Sequence, residues 1–268
     1  MVQPRTASAL TAVVLTLLTT ASATTSAIAA TADAPATATV VADWDKRTLT
    51  YRAAAGQAND LQVMDMPGGT ETRRVAFNDE VPIQAGEPCT QPDPNDATRV
   101  VCELPADSPL LDDIRILLGD GDDGMFTDAP GVRLVDGGAG SDELHAHSAQ
   151  VVLGGGGDDM LMGRVVMDGG DGMDHLMGDD GRQYLSGGRG DDHIEAYGGD
   201  DAVYAGSGED HVSGGQGGDV ILGGHDDDVL AGDEGADVLH GNHGDDTLHG
   251  GEGADRLVGG PGRDEVTQ

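Results

Sequence analysis

The sequence predicts an all-β protein whose C-terminal half is a parallel β-helix solenoid, preceded by a small irregular β region. Three observations carry that prediction. From Gly169 to Thr267 the chain cycles every nine residues through GGxGxDxUx, with U aliphatic and no insertion, as GGRGDDHIE from Gly187 shows. A fixed period of this kind marks a stacked repeat architecture. Glycine accounts for 44 of 268 residues and aromatic residues for only 3%, so little is available to offset chain entropy outside a repeating core. Upstream of the repeats, short β-like runs alternate with turn residues.

Residues 1–30, MVQPRTASALTAVVLTLLTTASATTSAIAA, read as a cleaved secretory signal. Arg5 supplies the basic start, Ala9 to Leu18 the apolar stretch, and Ala27 to Ala29 a small-residue A-x-A end. That stretch is too short and too rich in Thr for a membrane anchor, and no later run reaches the ~18 apolar residues a span needs. A secreted, extracellular protein without a membrane span is therefore expected.

Residues 31–117 form the N-terminal β-rich region. The runs TLTYRA, LQVMDM, RRVAFND, TRVVCEL and DIRILLG are separated by Gly, Pro, Asn and Asp, which fits irregular β-coils or a small β-domain. Cys89 and Cys102 bracket a Pro-rich loop. In an exported chain a disulfide is the natural reading, with free thiols the alternative. The region has no His, no GxSxG and no HExxH, so neither a serine hydrolase nor a zinc protease is visible. Asp45, Asp79, Glu80 and Glu103 could supply a glycosidase-like acid pair, though surface acids are far commoner. Asp60 and Asp65 sit where turns are expected.

Residues 118–268 form the repeat region. LGDGDDGMF from Leu118 is an outlying first coil, with Asp123 in the sixth position. Between Leu144 and Gly169 the spacing is broken by AHSAQVVL and GRVVMD, degenerate turns expected to keep strands at Val151, Val152 and Val165, Val166 while losing the loop. The sixth position reads Asp142, Asp159, Asp174, Gln183, Asp192, Asp201, Asp210, Asp219, Asp228, Asp237, Asp246, Asp255 and Asp264. The eighth, from Leu144 to Val266, is always Leu, Ile or Val. An aliphatic residue between variable ones fits a very short strand with its middle side chain inward, and stacking joins such residues into one column. Glycines allow positive-φ turns with carbonyls facing inward. Calcium takes six to eight oxygens at about 2.3 to 2.6 Å, which turn carbonyls and an Asp carboxylate can supply, whereas zinc would ask for nitrogen or sulfur.

GGAGSDELH, GGGGDDMLM, GGDGMDHLM, GGRGDDHIE, GGQGGDVIL and GGEGADRLV together resemble the RTX, or hemolysin-type, calcium-binding repeat family. The resemblance covers roughly the C-terminal half. It implies a right-handed β-roll with two repeats per turn and calcium between the loops of repeats i and i+2, held by position-six carboxylates and loop carbonyls. Asp174, Asp192, Asp210, Asp228, Asp246 and Asp264 would then line one edge. Asp201, Asp219, Asp237 and Asp255 would line the other, with Gln183 at its start. Weaker sites are expected at Gln183, which brings no charge, at Tyr197 in place of the second-position Gly, and at Asp226 in place of the fourth. Family members that use an uncleaved C-terminal export signal differ from this chain, whose N terminus carries the signal.

Forty-nine acids against 14 bases give a net charge of -35. Without a counter-ion such like charge opposes compaction, so the repeats are expected to be disordered without calcium and to fold on binding it. The same charge repels phosphate and argues against nucleic acid. His175, His193 and His211 recur at the seventh position of alternate repeats, and in a two-repeat coil they stack as a ladder about 4.8 Å apart. Such a ladder can bind a transition metal, sense pH or be a plain solvated face. On the opposite sheet, Tyr184, Tyr204, Val220, Leu222, Val238 and Val258 form an apolar outward stripe suited to protein or self-association, or present for strand propensity alone. Two functions follow: a non-enzymatic calcium-binding structural or interaction module, or an extracellular hydrolase or polysaccharide-active enzyme with an unfamiliar N-terminal site.

Overall fold

The computed structural model describes residues 37–268, and the expected signal at 1–30 lies outside them. Two sheets, of 12 and 13 strands, run along the described chain. Through the repeats, successive strands alternate between the sheets, and each pairs in parallel with the strand one full turn away. Tyr184–Arg189 pairs with Ala202–Ser207 in one sheet, and His193–Glu195 with His211–Gly217 in the other. The result is a parallel β-roll with two nonapeptides per turn.

The repeat makes this shape because its glycines do two jobs. Gly188 and Gly190 hold φ of 124° and 116°, a region L side chains rarely adopt. A β-carbon on Gly188 would also collide with the carbonyl oxygen of Gly170 in the preceding turn. Stacked loops this close admit only glycine or a residue that tolerates strain.

From Leu144 to Leu248 every eighth-position side chain is buried, while Leu257 and Val266 at the last turn are more open. Leu176, Ile194, Val212 and Leu230 from one sheet meet Leu185, Val203, Ile221 and Leu239 from the other, all at most 2% exposed, in one continuous apolar cluster. A three-residue strand such as His193–Glu195 thus contributes one core residue, worth about 1.5 to 3 kcal/mol on burial. No strand is stable alone, and stability passes from turn to turn.

The irregular spacing upstream of Gly169 falls on one edge. Successive position-six residues Asp123, Asp142, Asp159 and Asp174 are 19, 17 and 15 residues apart, then 18 from Asp174 to Asp192. The expected strands are present as Val151–Gly156 and Val166–Asp171. The connections 146–150 and 163–165, which replace full loops, both lie on the opposite edge and absorb the difference.

The five β-like runs of the N-terminal region are strands. Thr48–Arg52 and Asp60–Met66 pair in parallel with Ile114–Asp120 and Gly124–Thr127, extending both sheets. Beyond them the pairing turns antiparallel: Ala38–Asp43 adds to one sheet, and Thr72–Asn78 then Arg99–Pro105 to the other. This end also holds the bulky core, where Tyr51 stacks on Phe77 at 6.2 Å above buried Leu61, Leu104, Leu110 and Leu111. The turn-on-turn stacking of the roll ends at these strands, which cap it, with Ile83–Ala85 added in parallel beside Ala38–Asp43 at the sheet edge. Cys89 and Cys102 are joined in a disulfide between the paired strands Cys89–Thr90 and Arg99–Pro105.

Ile194→Ala, with calcium present, is expected to cost about 2 to 5 kcal/mol, because one truncated strand leaves a cavity that its two neighbours share. Urea unfolding measures this, and a loss below ~0.5 kcal/mol would contradict a core built from one side chain per strand.

Candidate calcium sites

Each position-six carboxylate ends a loop and is drawn inward by a specific hydrogen bond. The backbone N–H of Asp174 donates to Asp192 Oδ1 at 2.8 Å, and that of Asp192 to Asp210 Oδ1 at 2.8 Å. The pattern repeats through Asp228, Asp246 and Asp264 on the same edge. Ahead of Asp174 it extends through Asp159 and Asp142 to Asp123. On the other edge the row runs from Gln183 through Asp201, Asp219 and Asp237 to Asp255. The structure therefore gathers all the sequence-selected aspartates into two unequal rows, the longer one starting at Asp123.

The second carboxylate oxygen of each residue has no such partner. From Asp123 to Asp246, Oδ2 of every aspartate in both rows is buried and without a hydrogen bond. An unpaired buried carboxylate oxygen is costly. Its surroundings are oxygen-rich. The point a β-carbon would occupy on Gly187 is crowded by Asp192 Oδ2 and lies 2.6 Å from the Ala205 carbonyl oxygen, and Gly223 has the same arrangement with Asp228 Oδ2 and the Gly241 carbonyl at 2.8 Å. Missing side chains thus leave a cradle lined by a carboxylate oxygen and the carbonyl of the next turn.

Burial, reinforced by neighbouring carboxylates, pushes these groups upward. Asp142, Asp174, Asp192, Asp201 and Asp228 rise to about 7. Asp159, Asp210 and Asp219 rise to about 6, burial being the main cause in each. The donated N–H opposes the rise but does not cancel it. A cation shared between turns would reverse this penalty, and the donors fit calcium: they are hard oxygens, with carboxylate charge and carbonyl dipoles at one point. Nothing in the cradle offers the nitrogen or sulfur that zinc prefers.

The departures from the repeat fall into two kinds. Tyr197 and Asp226 hold φ of 67° and 74°, the left-handed conformation of the glycines they replace, so both loops keep the trace of their neighbours. Gln183 is different. Its Oε1 is buried and unpartnered, while its Nε2 donates to Asp179 O at 3.1 Å and Oδ1 at 2.6 Å. Arg164 Nε donates to Asp179 Oδ2 at 2.7 Å. A guanidinium and an amide meet the carboxylate at the start of the shorter row, so the protein supplies its own cation there. The sequence showed the missing charge at Gln183; Arg164 lies in a degenerate turn, where no repeat register flags it.

The other candidates are placed differently. Asp79 is buried, its carboxylate accepting from the Tyr51 hydroxyl and from the N–H groups of Asp60 and Glu80. Glu103 accepts from Thr72 and faces Arg74 at 3.6 Å, Asp65 pairs with Arg73 at 2.6 Å, and Asp45 and Glu80 are exposed. Asn59 was not singled out by its residue type, yet its N–H donates to Asp123 Oδ1 at 2.6 Å and starts the long row. His175 meets His193 edge to face with ring centroids 4.8 Å apart, and His193 stacks on His211 at 5.4 Å. Tyr184, Tyr204, Val220, Leu222, Val238 and Val258 share the outer face of the 12-stranded sheet, Tyr204 and Val258 the most open at 40% and 39%.

Among the described residues no helix is long and apolar enough to cross a membrane. A comparison with curated proteins found no match. The family model of the RTX calcium-binding nonapeptide repeat matches four times, over residues 168–203, 177–212, 204–239 and 231–266. That span holds the whole of the shorter row and the long row from Asp174 onward. Residues 168–266 are therefore RTX calcium-binding nonapeptide repeats, and they bind calcium at multiple sites.

Proposed function

We propose that this is a secreted, non-enzymatic protein whose repeats fold onto the roll when they bind extracellular calcium, and which then serves as a structural or interaction module. One observation carries the reading: two rows of buried carboxylate oxygens have no partner within the protein, so folding and cation binding are the same event. The net charge of -35 works in the same direction, opposing a compact chain until cations neutralise it. A calcium-poor cytosol would leave the chain unfolded for export, and the signal-like residues 1–30 supply the route. The acids weighed for hydrolysis support structural roles instead, since Asp79 and Glu103 are engaged by their neighbours. The interaction role falls to the apolar outer stripe around Tyr204 and Leu222. Leu222→Lys is expected to abolish any self-association seen by analytical ultracentrifugation while leaving the calcium-bound fold intact.

Circular dichroism of residues 31–268 is expected to show little β signal in chelator and a cooperative gain on adding calcium, with a midpoint near roughly 10⁻⁴ to 10⁻³ M, the range of extracellular modules. A spectrum indifferent to calcium would sink the proposal. Asp210→Asn, which keeps the hydrogen-bonding shape but removes the charge, is expected to raise that midpoint.

The pH dependence without calcium has a definite sign. Carboxyls at about 6 to 7 in the fold, against an ordinary 3.8, bind more protons folded than unfolded. Stability they contribute is therefore present below about pH 4 and lost as pH rises through about 7. In chelator, β signal should be greater at pH 5 than at pH 8. Where the metal-free fold forms, at about pH 5, adding calcium should release protons from the raised carboxyls, measurable by calorimetry in buffers of different ionisation enthalpy, and no release from that fold would contradict the raised carboxyls.

A further inference from the structure

Away from the loop edges, the outer face of the 13-stranded sheet carries a second kind of donor set. His175 and His193 are register partners on adjacent strands, and Glu195 lies two residues beyond His193 on the same face. One ligand atom from each of His175, His193 and Glu195 lies within 4.8 Å of the other two. His193 Nε2 is 3.2 Å from Glu195 Oε1, and His175 Nε2 is buried with no hydrogen-bond partner. Donors on a tetrahedral ion stand roughly 3 to 3.5 Å apart, so small side-chain rotations close the set. The register partners beyond the cluster are Met160 on His175, Met177 and Ser213 on Glu195, and His211 on His193, so no lysine or arginine borders the site.

A departure from the repeat points to the same place. Tyr197 occupies a position the nonapeptide gives to glycine and holds φ of 67°, a strained conformation for an aromatic residue. It follows Glu195 by two residues. A carboxylate held by one imidazole with a second beside it is an arrangement that suits a metal ligand.

We propose that His175, His193 and Glu195 form a site for one borderline divalent cation of the zinc class, on the sheet face and separate from the calcium loops. Two imidazoles and one carboxylate suit zinc and leave a fourth position open for water or an external ligand. Calcium, which wants oxygen throughout, does not compete for it. The roll thus sorts cations by location: hard ones bind at its edges, and imidazole-seeking ones on one face. His211, the third rung of the ladder, is outside this ligand set.

The test is calorimetric titration of Zn²⁺ into the full calcium-saturated protein. One equivalent is expected to bind. His193→Gln should remove it, and Glu195→Gln should weaken it by about 10-fold or more. His225→Gln, in the separate His225 and His243 pair whose rings are 5.1 Å apart, should change nothing. Circular dichroism in calcium confirms folding of each variant, and His175→Gln replaces His193→Gln if the latter does not fold. Zinc binding unchanged in the folded histidine variant overturns the proposal, as does absence of zinc uptake by the calcium-saturated wild type.

Discussion

One carboxylate with two unlike oxygens organises this molecule. In each turn, Oδ1 of the position-six aspartate accepts the N–H of its counterpart in the turn before, as Asp210 does from Asp192. That bond fixes the register of one turn on the next. Oδ2 is left buried and unpaired, facing a carbonyl of the neighbouring turn. The same side chain therefore holds the stack together and makes it incomplete. A net -35 chain with a core one side chain wide has little surplus stability to spend on unpaired buried charge, so calcium completes the structure that the hydrogen bond began.

The glycines follow from that constraint. Loops must stack closely enough for a carboxylate to reach both its own cradle and the turn behind, and a β-carbon on Gly188 would meet the Gly170 carbonyl. Where glycine is replaced, the substitute is usually Asp or Asn, as at Asp226, Asp233 and Asn242, all with positive φ. Those side chains tolerate the left-handed region best. Tyr197 is the exception among them, and it lies beside the His and Glu cluster.

The two ends of the row show how the protein starts a repeating structure without metal. At the head of the long row Asn59 donates to Asp123 through both its backbone and its side-chain nitrogen. At the head of the short row Arg164, Asp179 and Gln183 form a charge-neutralised cluster. Hydrogen bonds from Asn59 and the Arg164 contact thus anchor the first rung of each row, leaving Asp123 Oδ2 and Gln183 Oε1 unpaired, and the antiparallel cap supplies the bulky residues, such as Tyr51 and Phe77, that the slim roll lacks. The cap gives the first turns a surface to stack on.

The nine-residue register determined the fold, the inward Leu column from Leu144 onward and the aspartates of both rows, because each of those features repeats and a period survives in one dimension. Outside the register, the two cysteines of a chain read as exported pointed to the disulfide between Cys89 and Cys102. Tertiary structure alone decided what brings unlike segments together. Arg164 meets Asp179 and Gln183 from a degenerate turn, Asn59 reaches Asp123 across 64 residues, and Glu195 joins His175 only because the sheet register sets adjacent strands side by side. None of these contacts repeats, so no column of the sequence marks them. The shortened turns likewise looked like scattered defects until the stack placed them all on one edge, where they make one carboxylate row longer than the other.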